Sequence, residues 1–295
     1  MKREKFLKLA GLGALSVPMM SSFTELKNIS DNLGHTARMP VLFLGHGSPM
    51  NGIEENEFVK GFRKQGEQLE KPNAIIVVSA HWETRGTFVT AMSHPRTIHD
   101  FGGFPRQLYE VQYPAPGHPQ LAKELAEMVE PKETVHLDDQ WGLDHGAWTV
   151  VKHLFPLADV PVIQLSLDRR LPPQQHYALA RQLKKLRDKG VLIIGSGNLV
   201  HNLRQVAWDK VNEPFAYDWA IEARTKMNQW IVNDDHKSLI DFRKQGKAFD
   251  LAIPTPEHYL PLLYSLGLKD EKDAIQLFND QPLGGSLSMT SVKLG

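Results

Sequence analysis

Three apolar runs punctuate the chain, and each gives way to small and polar residues. Val41-Leu42-Phe43-Leu44 stops at Gly45, with His46 next. Ile75-Ile76-Val77-Val78 leads through Ser79-Ala80 to His81 and Trp82. Val191-Leu192-Ile193-Ile194 enters Gly195-Ser196-Gly197-Asn198, ahead of His201. Short continuous apolar runs bounded by Gly, Ser and Pro predict strands buried on both faces. Residues 160–167 predict another strand and 87–92 a further one. Residues 286–293 alternate apolar and polar, which predicts an edge strand. Helical spacing occupies 54–69, 119–130, 172–189, 213–232 and 237–244. Pro119 opens the second of these and Gly190 closes the third. One more helix follows Asp144 and runs to Phe155, and a short one reaches Leu266 from the turn at 254–261. Strands alternating with helices predict an α/β fold: a single domain over residues 39–295, with a mostly parallel central sheet flanked by helices. In such sheets sites form in the crevice at the C-terminal ends of the strands, where these histidines stand.

Composition narrows the chemistry. At 41% apolar residues, a chain of 295 can bury a sizeable core. The 34 basic and 34 acidic residues cancel, so charge gives no argument for nucleic acid or an anionic membrane. There is no cysteine, which excludes disulfides, thiolate catalysis and Cys-ligated zinc. A metal would be held by histidine and carboxylate, and thirteen histidines supply it. The segment 1–30 differs from the rest. Lys2, Arg3, Lys5 and Lys8 precede an apolar stretch at 9–20, too short for the roughly 20 residues of a membrane span. Arg3-Glu4-Lys5-Phe6-Leu7-Lys8 resembles a twin-arginine export signal with Glu in place of the second Arg. Two readings stand: a leader for a periplasmic protein, or a leader on a cytoplasmic one. The long loop at 93–116, with His94, His99 and Asp100, is the kind of irregular segment that carries function.

His46, His81, His201 and His258 all leave apolar elements through short loops. They share no helix, so only the fold brings them together. Neutral imidazole suits Zn, Fe, Cu and Ni, whereas oxygen-only sites suit Mg and Ca. Gly195-x-Gly197 lacks the third glycine of a dinucleotide fingerprint. Ser48 and Ser79 have no nucleophile elbow around them.

Five segments carry a resemblance: GHGSPM around His46, SAHW at His81, DHGAW at His145, SGNLVHNL around His201 and TPEHYLPLL around His258. Together, and in this order, they resemble the class III (LigB-type) extradiol ring-cleavage dioxygenases, DOPA 4,5-dioxygenase branch. The resemblance implies a mononuclear non-haem Fe(II) enzyme acting on a catechol and O2, with Zn(II) able to occupy the same pocket. It implies metal ligation by His46, His81 and His258. His201 becomes the acid–base residue and a possible fourth ligand, and His145 a second catalytic histidine beside the substrate. More distant relatives use two histidines and a carboxylate. Here His258 stands at the carboxylate position, so the ligand set carries one negative charge less.

Tyr259, beside a ligand, is a candidate hydrogen-bond donor to bound oxygen. Trp82 is a candidate surface for a planar ring, and both compete with a reading as core. Asp144 could orient an imidazole or cap the helix it precedes. Two other functions remain open: a zinc hydrolase on the same histidines, and a non-catalytic binding protein of the same fold. Oligomeric state is not readable.

Overall fold

A computed structural model of the protein describes residues 37–129 and 132–295. The leader expected at 1–30 lies outside the described residues. Among these, no helix is long and apolar enough to cross a membrane.

The centre is built from β1 (Val41–Gly45), β2 (Ala74–Thr84), β5 (Val162–Asp168) and β6 (Val191–Gly197), side by side and parallel in the order β5-β2-β6-β1. Every residue of β1, β5 and β6 is buried, as strands covered on both faces must be. Beyond β5 lie β3 (Thr87–Thr90) and β4 (Val135–Asp138). Beyond β1 lie β10 (Ser291–Leu294) and β7 (Ile275–Phe278), while β8 (Pro282–Leu283) and β9 (Leu287–Ser288) pair in a separate ribbon. β3 meets β5 antiparallel, and β10 is antiparallel to both β1 and β7. The chain's late strand is therefore not at the edge, as its alternating pattern suggests, but inside the sheet. Buried Val292 and Leu294 fill it, while half-buried Lys293 pairs in register with Leu42 and Gln276. β4 and β7 carry exposed or half-exposed residues and do not stand out in the sequence.

Alternation along each strand feeds two cores. Leu42, Leu44, Ile75 and Val77 face the side covered by α1 (Glu57–Gln68) and α4 (His145–Leu154). Val41, Phe43, Ile76 and Val78 face the other side. There α3 (Pro119–Val129), α5 (Pro173–Gln182), α6 (Asp218–Val232), α8 (Lys247–Ala252) and α9 (Leu260–Gly267) pack. The helix expected at 172–189 breaks after Gln182 into a 3-10 turn, Lys184–Lys189, closed by Gly190 at φ 74°.

Two irregularities position the site. The β2–β5 register runs from Val78 opposite Leu165 to Glu83 opposite Leu167, so residues 79–82 bulge out between them. A bulge re-aims the side chains it contains, and His81 sits in this one. At the end of β6, a Cβ on Gly197 would come within 2.1 Å of the His258 carbonyl oxygen. Only glycine lets the backbone that carries His258 lie flush on this strand. Gly197 then accepts from the His46 N–H at 3.1 Å, and Asn198 N–H donates to the His258 carbonyl at 2.8 Å.

Candidate metal centre and active site

The sheet delivers five imidazoles to one end. His46 follows β1 directly, His81 lies in the β2 bulge and His145 is the first residue of α4. His201 lies beyond β6, its N–H donating to the Ala252 carbonyl at 2.9 Å. His258 precedes α9. The rings of His46, His81 and His258 form a nearly equilateral triangle, with centroids 5.0, 5.0 and 5.3 Å apart. His145 lies 3.8 Å from His81, and His201 stacks on His258 at 3.5 Å and 10°. By ligand atoms, two separate groups appear side by side: His46, His81 and His145, then His201, Glu257 and His258.

Hydrogen bonds decide which nitrogen faces inward. The Ser196 hydroxyl donates to the Gly146 carbonyl at 2.5 Å, so its oxygen accepts the Nδ1–H of His46 at 3.0 Å. That leaves Nε2 of His46 bare, 3.1 Å from Nε2 of His81. Two bare ring nitrogens at this distance repel unless a hydrogen or a cation stands between them. Nitrogens each about 2.0–2.1 Å from one metal ion would be separated by about this much. His258 is tied in the same sense, with Nδ1 3.2 Å from Glu257 Oε1. A carboxylate beside an imidazole can orient the ring and raise its basicity. A trio of neutral imidazoles with inward Nε2 atoms fits a divalent first-row metal.

The electrostatics point the same way. Burial, then the neighbouring imidazoles, holds His46 and His258 well below the usual histidine range. Burial and His145 bring His81 down to about 3, and burial brings His201 to about 4. All four are held neutral at neutral pH, the form that can bind a metal or accept a proton. The His201 ring makes no hydrogen bond to protein among the described residues.

Other expected residues fall elsewhere. Tyr259 is a core residue, a correction to its expected role at bound oxygen. Its hydroxyl donates to the Leu239 carbonyl at 2.8 Å, and its ring lies against Phe242 at 4.8 Å. Successive residues entering a helix point about 100° apart, so neighbouring a ligand does not mean facing the ligand's space. Trp82 is 4% exposed and stacks on Trp141 at 5.7 Å and 2°. Burial and that stacking leave the Trp82 ring little surface to offer a substrate. Asp144 is a cap and scaffold, with no hydrogen bond to an imidazole among the described residues. It accepts from Ala147 N–H, Ser79 Oγ, Gln164 Nε2 and Trp141 Nε1, and burial raises its carboxyl. Sequence reasoning missed three residues as site members: Ser196, Glu257 and Asp100. The first two lie inside segments already in view; Asp100 sits in a loop without periodicity.

An imidazole cluster at the C-terminal ends of parallel strands makes a candidate metal centre of an α/β protein. The family model described as the catalytic LigB subunit of aromatic ring-opening dioxygenase matches residues 37–282. The chain is 45% identical over 268 residues to a protein of Escherichia coli (strain K12) named 4,5-DOPA dioxygenase extradiol, covering 90% of this chain and 98% of that one. A protein of the same name from Beta vulgaris is 35% identical over 270 residues, covering 89% and 97%. The crystal structure of an uncharacterized protein from Escherichia coli K12 matches with a TM-score of 0.74 and 42% identity, over 88% of this chain and all of that one. The chain belongs to the LigB-type, class III extradiol ring-cleavage dioxygenases, in the DOPA dioxygenase branch. It is an extradiol ring-cleavage dioxygenase, metal-dependent and non-haem, taking a small molecule and O2.

Proposed function

We propose that the protein opens the ring of a DOPA-like catechol outside its diol, giving a muconate semialdehyde, and that Fe(II) is its working metal. One C–C bond beside the diol breaks and both atoms of O2 enter the product, so no outside reductant is needed. The observation that carries the reading is the triangle of His46, His81 and His258, with Nδ1 of His46 and of His258 tied outward. A divalent metal held there would lower the pKa of the diol hydroxyls and, as iron, relay electron density from the ring to O2. The protein's own groups supply the rest. His201, neutral and unpaired, accepts a diol proton on its ring and returns it as the ring opens. His145 adds a second nitrogen beside the same space. Half-buried Phe101 meets His145 edge-on at 5.5 Å and continues to Phe104 and Tyr109 at 5.4 and 5.1 Å. That wall suits a planar ring.

The test is O2 uptake by anaerobically iron-loaded protein given L-DOPA. One O2 consumed per yellow ring-opened product is the expected result. No uptake with iron, alongside hydrolysis by zinc-loaded protein, would replace this reading with the hydrolase.

A further inference from the structure

His145 is held by a residue from a distant loop. The Asp100 backbone is open to solvent, while its side chain is only 19% exposed. Both its carboxylate oxygens are turned onto one histidine. Oδ1 accepts the backbone N–H of His145 at 2.8 Å, and Oδ2 stands 2.9 Å from its Nδ1. The first contact satisfies a helix N-terminal donor that has no partner inside α4. The second fixes the ring. The same Oδ2 lies 3.7 Å from Nδ1 of His81. Burial works against the Asp100 charge, but the bonds and charge from His145 hold its carboxyl below the usual range.

An ionised carboxylate only accepts hydrogen bonds. The hydrogen between Asp100 and His145 therefore belongs to Nδ1. In a neutral imidazole this leaves Nε2 without one, the reverse of the form free histidine favours in water. Among the described residues no protein group bonds that Nε2. We propose that Asp100 is the positioning residue for His145: it fixes the Nδ1–H tautomer, so that Nε2 meets the substrate as a hydrogen-bond and proton acceptor, not as a donor. The neighbouring Phe101, edge-on to His145, ties the aromatic wall to the same anchor. A shift of this loop would thus move the wall and the His145 tautomer together.

The experiment uses the full-length, zinc-loaded protein, which is diamagnetic. Long-range proton–nitrogen NMR correlation reads the tautomer, and the His145 signals are identified by their loss in His145→Gln. We expect Nδ1–H in the wild type. In Asp100→Asn, whose amide can donate, we expect population to move toward Nε2–H. We expect kcat of its iron-loaded form to fall roughly 10–100-fold, the usual cost of an orienting partner, with KM and metal content within about 2-fold. An Nε2–H wild type overturns the proposal, and that spectrum is informative even if Asp100→Asn fails to fold. Wild-type kcat in Asp100→Asn overturns it as well. Only the kinetic arm rests on the ring-opening reading. A wild type inactive on every catechol would sink that reading and leave the spectrum to judge Asp100.

Discussion

The two ends of the parallel strands bury polar groups in opposite ways. At the end where β1 begins, the 1% exposed Arg187 side chain pairs with Asp273 at 2.5 and 3.1 Å. It also donates to the carbonyls of Met39 and Leu268 at 2.8 and 2.9 Å. Arg38 adds a second cation to Asp273 at 3.0 Å and pairs with Asp188 and Asp270. Burial works to raise Asp273, yet the guanidinium bonds bring it down to about 2. Every charge there has found its opposite. At the other end five imidazoles crowd together, with only Asp100 and Glu257 as carboxylates against them among the described residues. Burial and neighbouring imidazoles oppose protonation of His46, His81 and His258. One end is complete as folded; the other is arranged for something that arrives later.

Removing a ligand should break the comparison most. His258→Ala is expected to lose its metal and more than about 10^2-fold of its activity, beyond the cost of losing an orienting partner. Its thermal midpoint without metal should change little; metal analysis with O2 uptake checks both. At the opposite end, Arg187→Met leaves the Asp273 side chain with Arg38 as its remaining cation and unpairs the carbonyls of Met39 and Leu268. It should cost about 3–5 kcal/mol of stability, read by denaturant unfolding, while metal per folded molecule stays at the wild-type level.

Acid sharpens the contrast. His81 and His201 titrate at about 3 and 4 in the folded chain against 6.5 unfolded. Between those values the unfolded state binds more protons, so stability rises with pH and is lost on acidification below about 6.5. The slope is about 1.4 kcal/mol per pH unit for each such histidine. Asp273 contributes in the same direction only at lower pH, below about 4. Metal-free protein melted from pH 7 to 4.5 should show the loss, and His201→Gln should reduce the slope by about one histidine's share, roughly 1.4 kcal/mol per pH unit. A flat wild-type profile would mean the cluster is not held neutral.

Smaller effects separate core from site. Tyr259→Phe leaves the Leu239 carbonyl unpaired and should cost about 1–2 kcal/mol, with kcat and KM unchanged. Phe101→Ala should do the reverse. Loss of an aromatic pair worth about 0.5–1.5 kcal/mol should raise KM for the diol roughly 3–10-fold and leave the melting curve nearly in place.

How much of this was legible follows from what periodicity can carry. β1, β2 and β6 announce themselves because both faces are buried, leaving unbroken apolar runs. Val135-His136-Leu137-Asp138 does not, since only its first residue is buried. Ser291 to Leu294 reads as an edge because Ser and Lys interrupt it, although Ser291 is buried and its hydroxyl accepts from Gly45 N–H at 3.0 Å. At the centre the same limit applies. The histidines at strand exits were visible, and so was the family likeness. Direction was not: Tyr259 and Trp82 adjoin ligands in sequence and bury their rings elsewhere. Asp100 reaches His145 across 45 residues through a loop with no repeat, and no local pattern encodes that contact.

The spacing of the ligands has one more consequence. His46, His81 and His258 come from three remote points of a chain without cysteine. An ion gripping all three would act as a removable cross-link, closing loops of 35 and 177 residues and restricting the unfolded chain much as a disulfide would. Chelation would then do to this protein what a reductant does to a secreted one. Because the cross-link forms only on the assembled sheet, its strength adds to the folded state by mass action and follows the supply of free metal.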